Sequence, residues 1–365
     1  MTLNKLGTSL VIALLVFLNS AILQAQPLIS FDARSVGMGG TGVASSKLAS
    51  AAYSNPALVS QPIGGDNFQL LLPVVGVNAN DPQGLIDDVD AFNLAVDNLD
   101  PIKAQEILAQ SIGKPLTVSA YAGTAFGFTV DKFALVFLYN KQYIADFRTT
   151  GNTINAAFLV GTGAELTAVG VAIPIFTTEN FKLGITPKVV DVNSFDYLEL
   201  LIDSSGNTGI GNTALGEKQH GTSFNIDVGA AYDFKNGFVL GLVARNLKSQ
   251  EFTTVLNSKI KLEPQTRAGI AYNGDLFTIA ADADLNENEP IAFSEKTQLI
   301  TLGAELNFLD WMAIRIGYQK NTASTLSGSM KSIGLGFTPF GVGVDIAAIG
   351  NEHAIGGAVQ LSFTF

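Results

Sequence analysis

The sequence predicts an all-β chain, a transmembrane antiparallel β-barrel of about fourteen strands. The first observation is the final stretch, AIGGAVQLSFTF from Ala354 to Phe365, in which Val359, Leu361, Phe363 and Phe365 fall on one face and Gln360, Ser362 and Thr364 on the other. The second is that carboxylates stand in the middle of strands whose opposite face is apolar, as with Asp345 beside Val344 and Ile346, and Glu305 beside Ala304 and Leu306. A charge on the inner face of a packed sandwich is costly, whereas the inside of a membrane barrel is wet or filled with groups that can pair. The third is composition: 365 residues, 15% charged and 47% hydrophobic, with 37 glycines and 24 phenylalanines. After the N-terminus no apolar run suits a membrane helix, so spanning falls to closed β-structure.

Residues 1–25 have the parts of an export signal: Lys5 in a positive leader, an apolar core from Leu10 to Phe17, and Ala25 as the last residue before cleavage. That core is short for a transmembrane helix and has no stop-transfer flank. Residues 26–64 follow, rich in small residues and holding Gly37, Gly39, Gly40 and Gly42, a composition suited to tight backbone packing in a confined space. The run Ala33-Arg34, Gly37-Met38-Gly39-Gly40, Ala51-Ala52-Tyr53 and Asn55-Pro56-Ala57 resembles the N-terminal region of the long-chain fatty acid transporter family of outer-membrane barrels. Within that superfamily it is most similar to the branch labelled conjugal transfer TraF-type proteins. The resemblance implies an N-terminal plug inside the barrel, with Gly39, Gly40, Asn55, Pro56 and Ala57 as plug residues near a translocation path. Relatives commonly follow the motif with Gly-Leu; this chain has Leu58-Val59.

Residues 65–365 read as the barrel. The first strand runs from Asn67 to Ala79, with Phe68, Leu70, Leu72 and Val74 on one parity. The insert 81–112 changes period: Leu85, Val89, Phe92, Val96 and Leu99 recur at spacings of three and four, and Asp100-Pro101 resembles an N-cap followed by proline at the first position of a second helix. Its polar side is acidic. Two readings stay open, a lid offering an apolar face to an oily ligand and an ordered surface insertion. The remaining strands are Leu116 to Phe128, Phe133 to Phe147, Glu165 to Ile175, Phe181 to Leu200, Thr222 to Tyr232, Gly237 to Lys248, Ile260 to Tyr272, Leu276 to Leu285, Thr297 to Phe308, Met312 to Gln319 and the three that end the chain. Short connections, such as Asp131-Lys132, Lys235-Asn236 and Asn273-Gly274, alternate with long ones and so share one side. Tyr232, Phe234, Tyr272, Phe308, Trp311, Phe337, Phe340 and Phe365 cluster at the short-turn ends and suit an interfacial girdle.

With the apolar parity facing lipid, the opposite parity lines the interior and includes Asp227, Arg245, Arg267, Asp282, Glu305, Arg315 and Asp345, together with Lys261 and Glu263. Both signs are present, so pairing across strands or with the plug is expected. Pro187 within its strand marks a bulge or local opening. The third strand contains neither proline nor glycine, although the resemblance implies a lateral opening at a kink there.

Catalysis is not expected: the two histidines, His220 and His353, fall in predicted loops, and no metal-ligand cluster, phosphate loop or nucleotide fingerprint is present. No cofactor or metal is therefore expected. The formal charge of −11 disfavours nucleic acid as a partner. The uninterrupted alternation and the short-long rhythm of connections predict a single monomeric barrel, and the resemblance implies one in the outer membrane of a double-membraned bacterium, contacting outer-membrane lipid and taking up hydrophobic small molecules passively. Phe92, Val96, Val89 and Phe158 are the expected ligand-capture residues. The alternative is a barrel component of an envelope secretion or conjugal transfer apparatus, acting through an envelope protein partner.

Overall fold

The computed structural model describes residues 31–63, 65–130, 133–150, 158–200, 218–254, 259–289, 295–308, 311–326 and 328–365. The predicted export signal lies outside them. Alternating sequence becomes strand at β1 (Phe68–Asn80), β2 (Pro115–Val130), β3 (Phe133–Thr150), β4 (Phe158–Thr177), β5 (Phe181–Leu200), β6 (Gln219–Asp233) and β7 (Phe238–Arg245). It continues through β8 (Gln250–Thr253), β9 (Lys259–Leu262), β10 (Gln265–Asn273), β11 (Phe277–Asp284), β12 (Leu299–Phe308), β13 (Met312–Asn321), β14 (Ser329–Phe337), β15 (Val342–Gly350) and β16 (Ala354–Thr364). All but β8 and β9 form one closed antiparallel barrel of fourteen strands, and those two form a separate hairpin. The seam is β1 against β16, paired from Gln69↔Thr364 to Asn80↔Ala354. Closure leaves no free ladder edge in hydrocarbon, where an unsatisfied amide costs several kcal/mol, of order 4–8 in the fully apolar limit.

The predicted parity holds around the wall. Ile314, Ile316, Ile333, Leu335, Ile346 and Val359 are exposed on the outer face, while Arg315, Asp345, Gln360 and Ser362 are buried inside. At the short-turn end Phe68 stacks on Phe365, Tyr232 meets Phe234 edge-on, and Trp311 meets Phe337 edge-on, which builds the expected girdle. The wall is uneven. β4 and β5 have 20 residues each, whereas β7 and β11 have 8; about 9–11 tilted residues cross a bilayer, so β3 to β6 stand above the membrane on the long-loop side.

Four expectations are corrected. Phe68, Leu70, Leu72 and Val74 do not share a face, because register shifts by a bulge between Leu71 and Val74, where Pro73 cannot donate to a ladder. Val74 turns inward and Val75 and Val77 face outward. Residues Phe158 to Ala164, expected within a long connection, are the beginning of β4. Ile260 to Tyr272 is two strands, split at Glu263–Pro264, so Ile260 and Leu262 belong to the hairpin instead of the lipid face, and Lys261 is exposed. Pro187 stays in register opposite Ile226, without a bulge.

Candidate functional site

The lumen is filled by the N-terminal segment. Helix α1 (Ala33–Gly37) is capped by Asp32, whose carboxylate accepts from the Ser35 N–H at 2.9 Å and the Ser35 hydroxyl at 2.7 Å. Burial raises the Asp32 carboxyl, against those bonds and Arg34, and burial lowers the Lys47 ammonium. A second short helix, α2 (Leu48–Ala51), precedes a 3₁₀ turn at Pro56–Leu58. Gly39 has φ +72°, and a Cβ there would lie 2.7 Å from the Tyr318 amide nitrogen in the wall. Gly334 on β14 likewise meets Gly37: a Cβ would stand 3.0 Å from the Gly37 Cα. The small residues read from the sequence therefore let plug and wall backbones touch.

Of the expected interior charges, Asp227, Glu263, Arg267, Asp282, Glu305, Arg315 and Asp345 are buried, Arg245 is half-buried and Lys261 is exposed, and the plug bonds to several of them. Arg34 grips Glu305 with two bonds of 2.9 Å, through Nε and Nη2, and donates Nη1 to the Ser45 carbonyl. Glu305 also receives Arg315 Nε at 2.6 Å, and Arg315 Nη1 reaches Asp345 at 2.5 Å. Asp282 accepts from the amides of Gly42 and Val43 at 2.8 and 3.0 Å. Arg267 pairs with Asp284 at 2.6 Å and donates to the Gly40 carbonyl at 3.3 Å. Asp227 pairs with Lys188 at 2.7 Å. Arg245 and Arg267 line a small cavity against the plug with Asp32, Tyr53 and Asp282. Both signs stand side by side in this ring, and its bonds to Arg34, Gly40, Gly42 and Val43 tie the plug to the wall.

Asn55 stitches the plug twice, donating to Val43 of its own segment at 2.8 Å and to Ala230 of β6 at 3.1 Å. Its Oδ1 accepts from Ala57 N–H and starts the 3₁₀ turn, with Pro56 at the first position where no donor is needed. Leu58 and Val59, which follow the Asn55-Pro56-Ala57 motif, are fully buried in the plug core.

Above the plug the lumen changes character. Ile144, Ala164, Leu166, Ala168, Val190 and Val192, inward residues of β3 to β5, form an apolar patch. The β8–β9 hairpin folds onto it, with Ile260 and Leu262 buried and Phe252 at the margin. The chain leaving β7 is pinned to β6 first, by Asn246 N–H to Asp227 at 2.8 Å and Lys248 N–H to Asn225 at 3.1 Å. Sequence reasoning missed this hairpin; the available signal was Pro264, which breaks an otherwise alternating run.

The insert forms the two expected helices, α3 (Leu85–Asp97) and α4 (Pro101–Ser111), the second capped by Asp100 accepting from Lys103 N–H at 3.0 Å. Phe92 is buried with Ala95, Ala104, Ile107 and Leu108 against Leu159 of β4, while Val96, Phe147 and Tyr197 pack at the edge. Leu159, Phe147 and Tyr197 share the outward parity of their strands, so the pair leans on the outer side of the tall wall, as an ordered insertion would. Val89 is half-buried, and Leu94, Leu99 and Ile102 are exposed. Phe158 opens β4, and its side chain lies outside the described set.

With this geometry in place, the family profile of the F plasmid transfer operon TraF protein matches residues 52–284. The chain belongs to this TraF family. No curated protein matches it in sequence. Its fold is similar to that of a TodX deltaS2S3 mutant monoaromatic hydrocarbon channel, at TM-score 0.60 and 14% identity over 92% of this chain and 99% of that one. The CymD monoaromatic hydrocarbon channel gives 0.58 at 13% identity, covering 93% and 99%. The Ralstonia pickettii toluene transporter TbuX gives 0.54 at 13%, also covering 93% and 99%. This TraF-family chain thus shares its overall fold with these channels, and among its described residues that fold is a closed barrel of fourteen strands. Among its described residues no group of three His, Cys, Asp or Glu side chains could hold a metal.

Proposed function

We propose that the protein is a passive outer-membrane channel for hydrophobic small molecules of fatty-acid or hydrocarbon type. The observation that carries this reading is the apolar inner wall above the plug, Ile144, Leu166, Val190 and Val192. Ile260 and Leu262 of the β8–β9 hairpin cover this wall in the structure; an oily solute that takes their place would partition onto it, whereas a channel for ions or sugars has no use for such a surface. Capture is assigned to the helical insert, where exposed Leu94, Leu99 and Ile102 meet solvent above Phe92, Val96 and Val89, with Phe158 adjoining at the head of β4. The likeness to hydrocarbon channels supports the same solute class. Each large apolar side chain buried against a ligand contributes roughly 1.5–3 kcal/mol.

The test is saturable binding of a labelled long-chain fatty acid and a labelled aromatic hydrocarbon to folded protein, with heat-modifiable gel mobility as the folding control. Serine at both Phe92 and Val96, or at both Leu94 and Leu99, is expected to weaken capture while the barrel remains folded. Serine at Leu166 and Val190 is expected to weaken retention inside. Absence of saturable binding of either solute by wild-type protein would overturn uptake. It would favour the second reading, a barrel component of an envelope secretion or conjugal transfer apparatus, which the transfer-operon description of the family supports. Equal binding by wild type and the insert variants would move capture away from the insert.

A further inference from the structure

The outer face of the short wall carries a site that the transport reading does not use. Small Ala281 and Ala304 lie between Ile270, Ile279, Leu302 and Ile316, so the lipid-facing surface of β10 to β13 dips into a groove of about 680 Å³. Register places these side chains on consecutive rungs: Ile270↔Ala281↔Leu302 and Tyr272↔Ile279↔Ala304. The volume falls in the range of roughly 300–1,000 Å³ typical of small-molecule sites, and the lining is apolar. Aromatic residues Phe238, Tyr272 and Phe277 close its short-turn end.

At the long-loop end the groove reaches Tyr318, and two cations follow. Lys320 stands one outward position beyond Tyr318 on β13, and Lys331 of β14 is the cross-strand neighbour of Tyr318. Both lysines are exposed and face outward, and neither has an ion-pair or hydrogen-bond partner among the described residues. Several other lysines on this side are neutralised: Lys141 and Lys218 share Glu165, Lys259 faces Glu251, and Lys296 is held by Glu287 and Glu289. Lys320 and Lys331 occupy diagonal positions, about 7–8 Å apart at Cα in such a ladder. Like charges this close repel unless an anion sits between them. Phe308, in the girdle, pairs with Met312 at the other end of the β12–β13 ladder; eight residues at about 3.4 Å separate Met312 from Lys320 along a tilted strand, which sets the lysines near the opposite interface of an apolar band about 25 Å tall.

We propose that β10 to β14 bind a phosphate-bearing lipid of the outer leaflet, with an acyl chain in the groove and a headgroup phosphate held between Lys320 and Lys331. Apolar fit places the chain, and charge complementarity chooses an anionic headgroup over a zwitterionic one. The site is separate from the lumen and does not depend on what the channel carries.

The test uses the full mature barrel, folded in maltoside micelles and incubated with bisphosphorylated lipid A or with phosphatidylcholine, with retained lipid measured by native mass spectrometry. Wild-type protein is expected to retain lipid A preferentially, and less of it at high salt. Replacing both lysines, Lys320→Gln with Lys331→Gln, is expected to weaken retention about ten-fold or more. These side chains are exposed, so heat-modifiable mobility should be unchanged. Ala304→Phe, which fills the groove and keeps both lysines, is expected to lower retention as well. Equal retention of lipid A and phosphatidylcholine by wild type would overturn the proposal, as would unchanged lipid A affinity in the double-lysine variant. Retention unaltered by Ala304→Phe would remove the acyl chain from the groove and equally overturn it.

Discussion

Glu305 shows how single residues bind the plug to the wall. It sits mid-strand on β12, 6% exposed, and takes bonds from Arg34 of the plug and Arg315 of β13. Its alternation with Ala304 and Leu306 made its inward direction legible in the sequence, but not its partner: Arg34 lies 271 positions away, and only closure of the ring brings the two together. Replacing Glu305 by leucine leaves the buried Arg315 and the half-buried Arg34 competing for Asp345 and backbone carbonyls. Breaking a buried pair from one side costs about 3–5 kcal/mol. The expected outcome is a lower temperature for conversion to the unfolded gel form, together with protease cleavage between Gly37 and Pro56 that wild-type protein resists. Uncleaved plug in a folded Glu305→Leu barrel would show that backbone packing alone holds it.

The β8–β9 hairpin makes a different kind of contact at the scale of elements. Four-residue strands cannot persist alone in water, since an isolated two-stranded hairpin is marginal at best. Its order comes from Ile260 and Leu262, which bury against the apolar inner wall, and from the clamp of residues 246–248 on β6. Leu262→Ala is expected to remove about 2–5 kcal/mol of packing, more than a hairpin this small can lose. Amide exchange should then accelerate at Gln250–Thr253 while the β6–β7 ladder stays protected. Loss of protection in both would mean that the hairpin is part of the barrel's own cooperative unit. Helices α3 and α4 differ again: their period and the Asp100-Pro101 start were readable locally, yet which side of the rim they lean on was not.

The whole molecule rests on one seam. Phe365 N–H bonds to the Phe68 carbonyl at 3.0 Å, and the Phe365 carbonyl accepts from Asn67 and Phe68 at 2.9 and 2.8 Å, so the last residue closes the ring onto the first strand. Deleting Leu361–Phe365 strips the partners of Gln69 to Leu71 on one side and of Val342 to Val344 on the other. Those amides would face hydrocarbon unpaired. The expected outcome is failure to form the heat-modifiable species at all, instead of a weakened barrel, read on gels of membrane extracts. A folded, compact band from the deleted chain would show that closure can be made without this seam.

Local periodicity and turn chemistry, which act between near neighbours, were enough to establish the barrel, its even strand number, its orientation of short and long connections, and the inward set from Asp227 to Asp345. The same local rules failed where a proline interrupts the alternation. At Pro73 the parity inverted through a bulge, and at Pro264 one expected strand became two. What only the tertiary structure decided was pairing: Arg34 with Glu305, Gly40 with Arg267, the hairpin with β3 to β5, and Lys320 beside Lys331 above a groove. Parity places a side chain on one face of the wall, but its neighbours depend on register across strands far apart in the chain. Register is set by closing the whole ring, which no single stretch of sequence encodes.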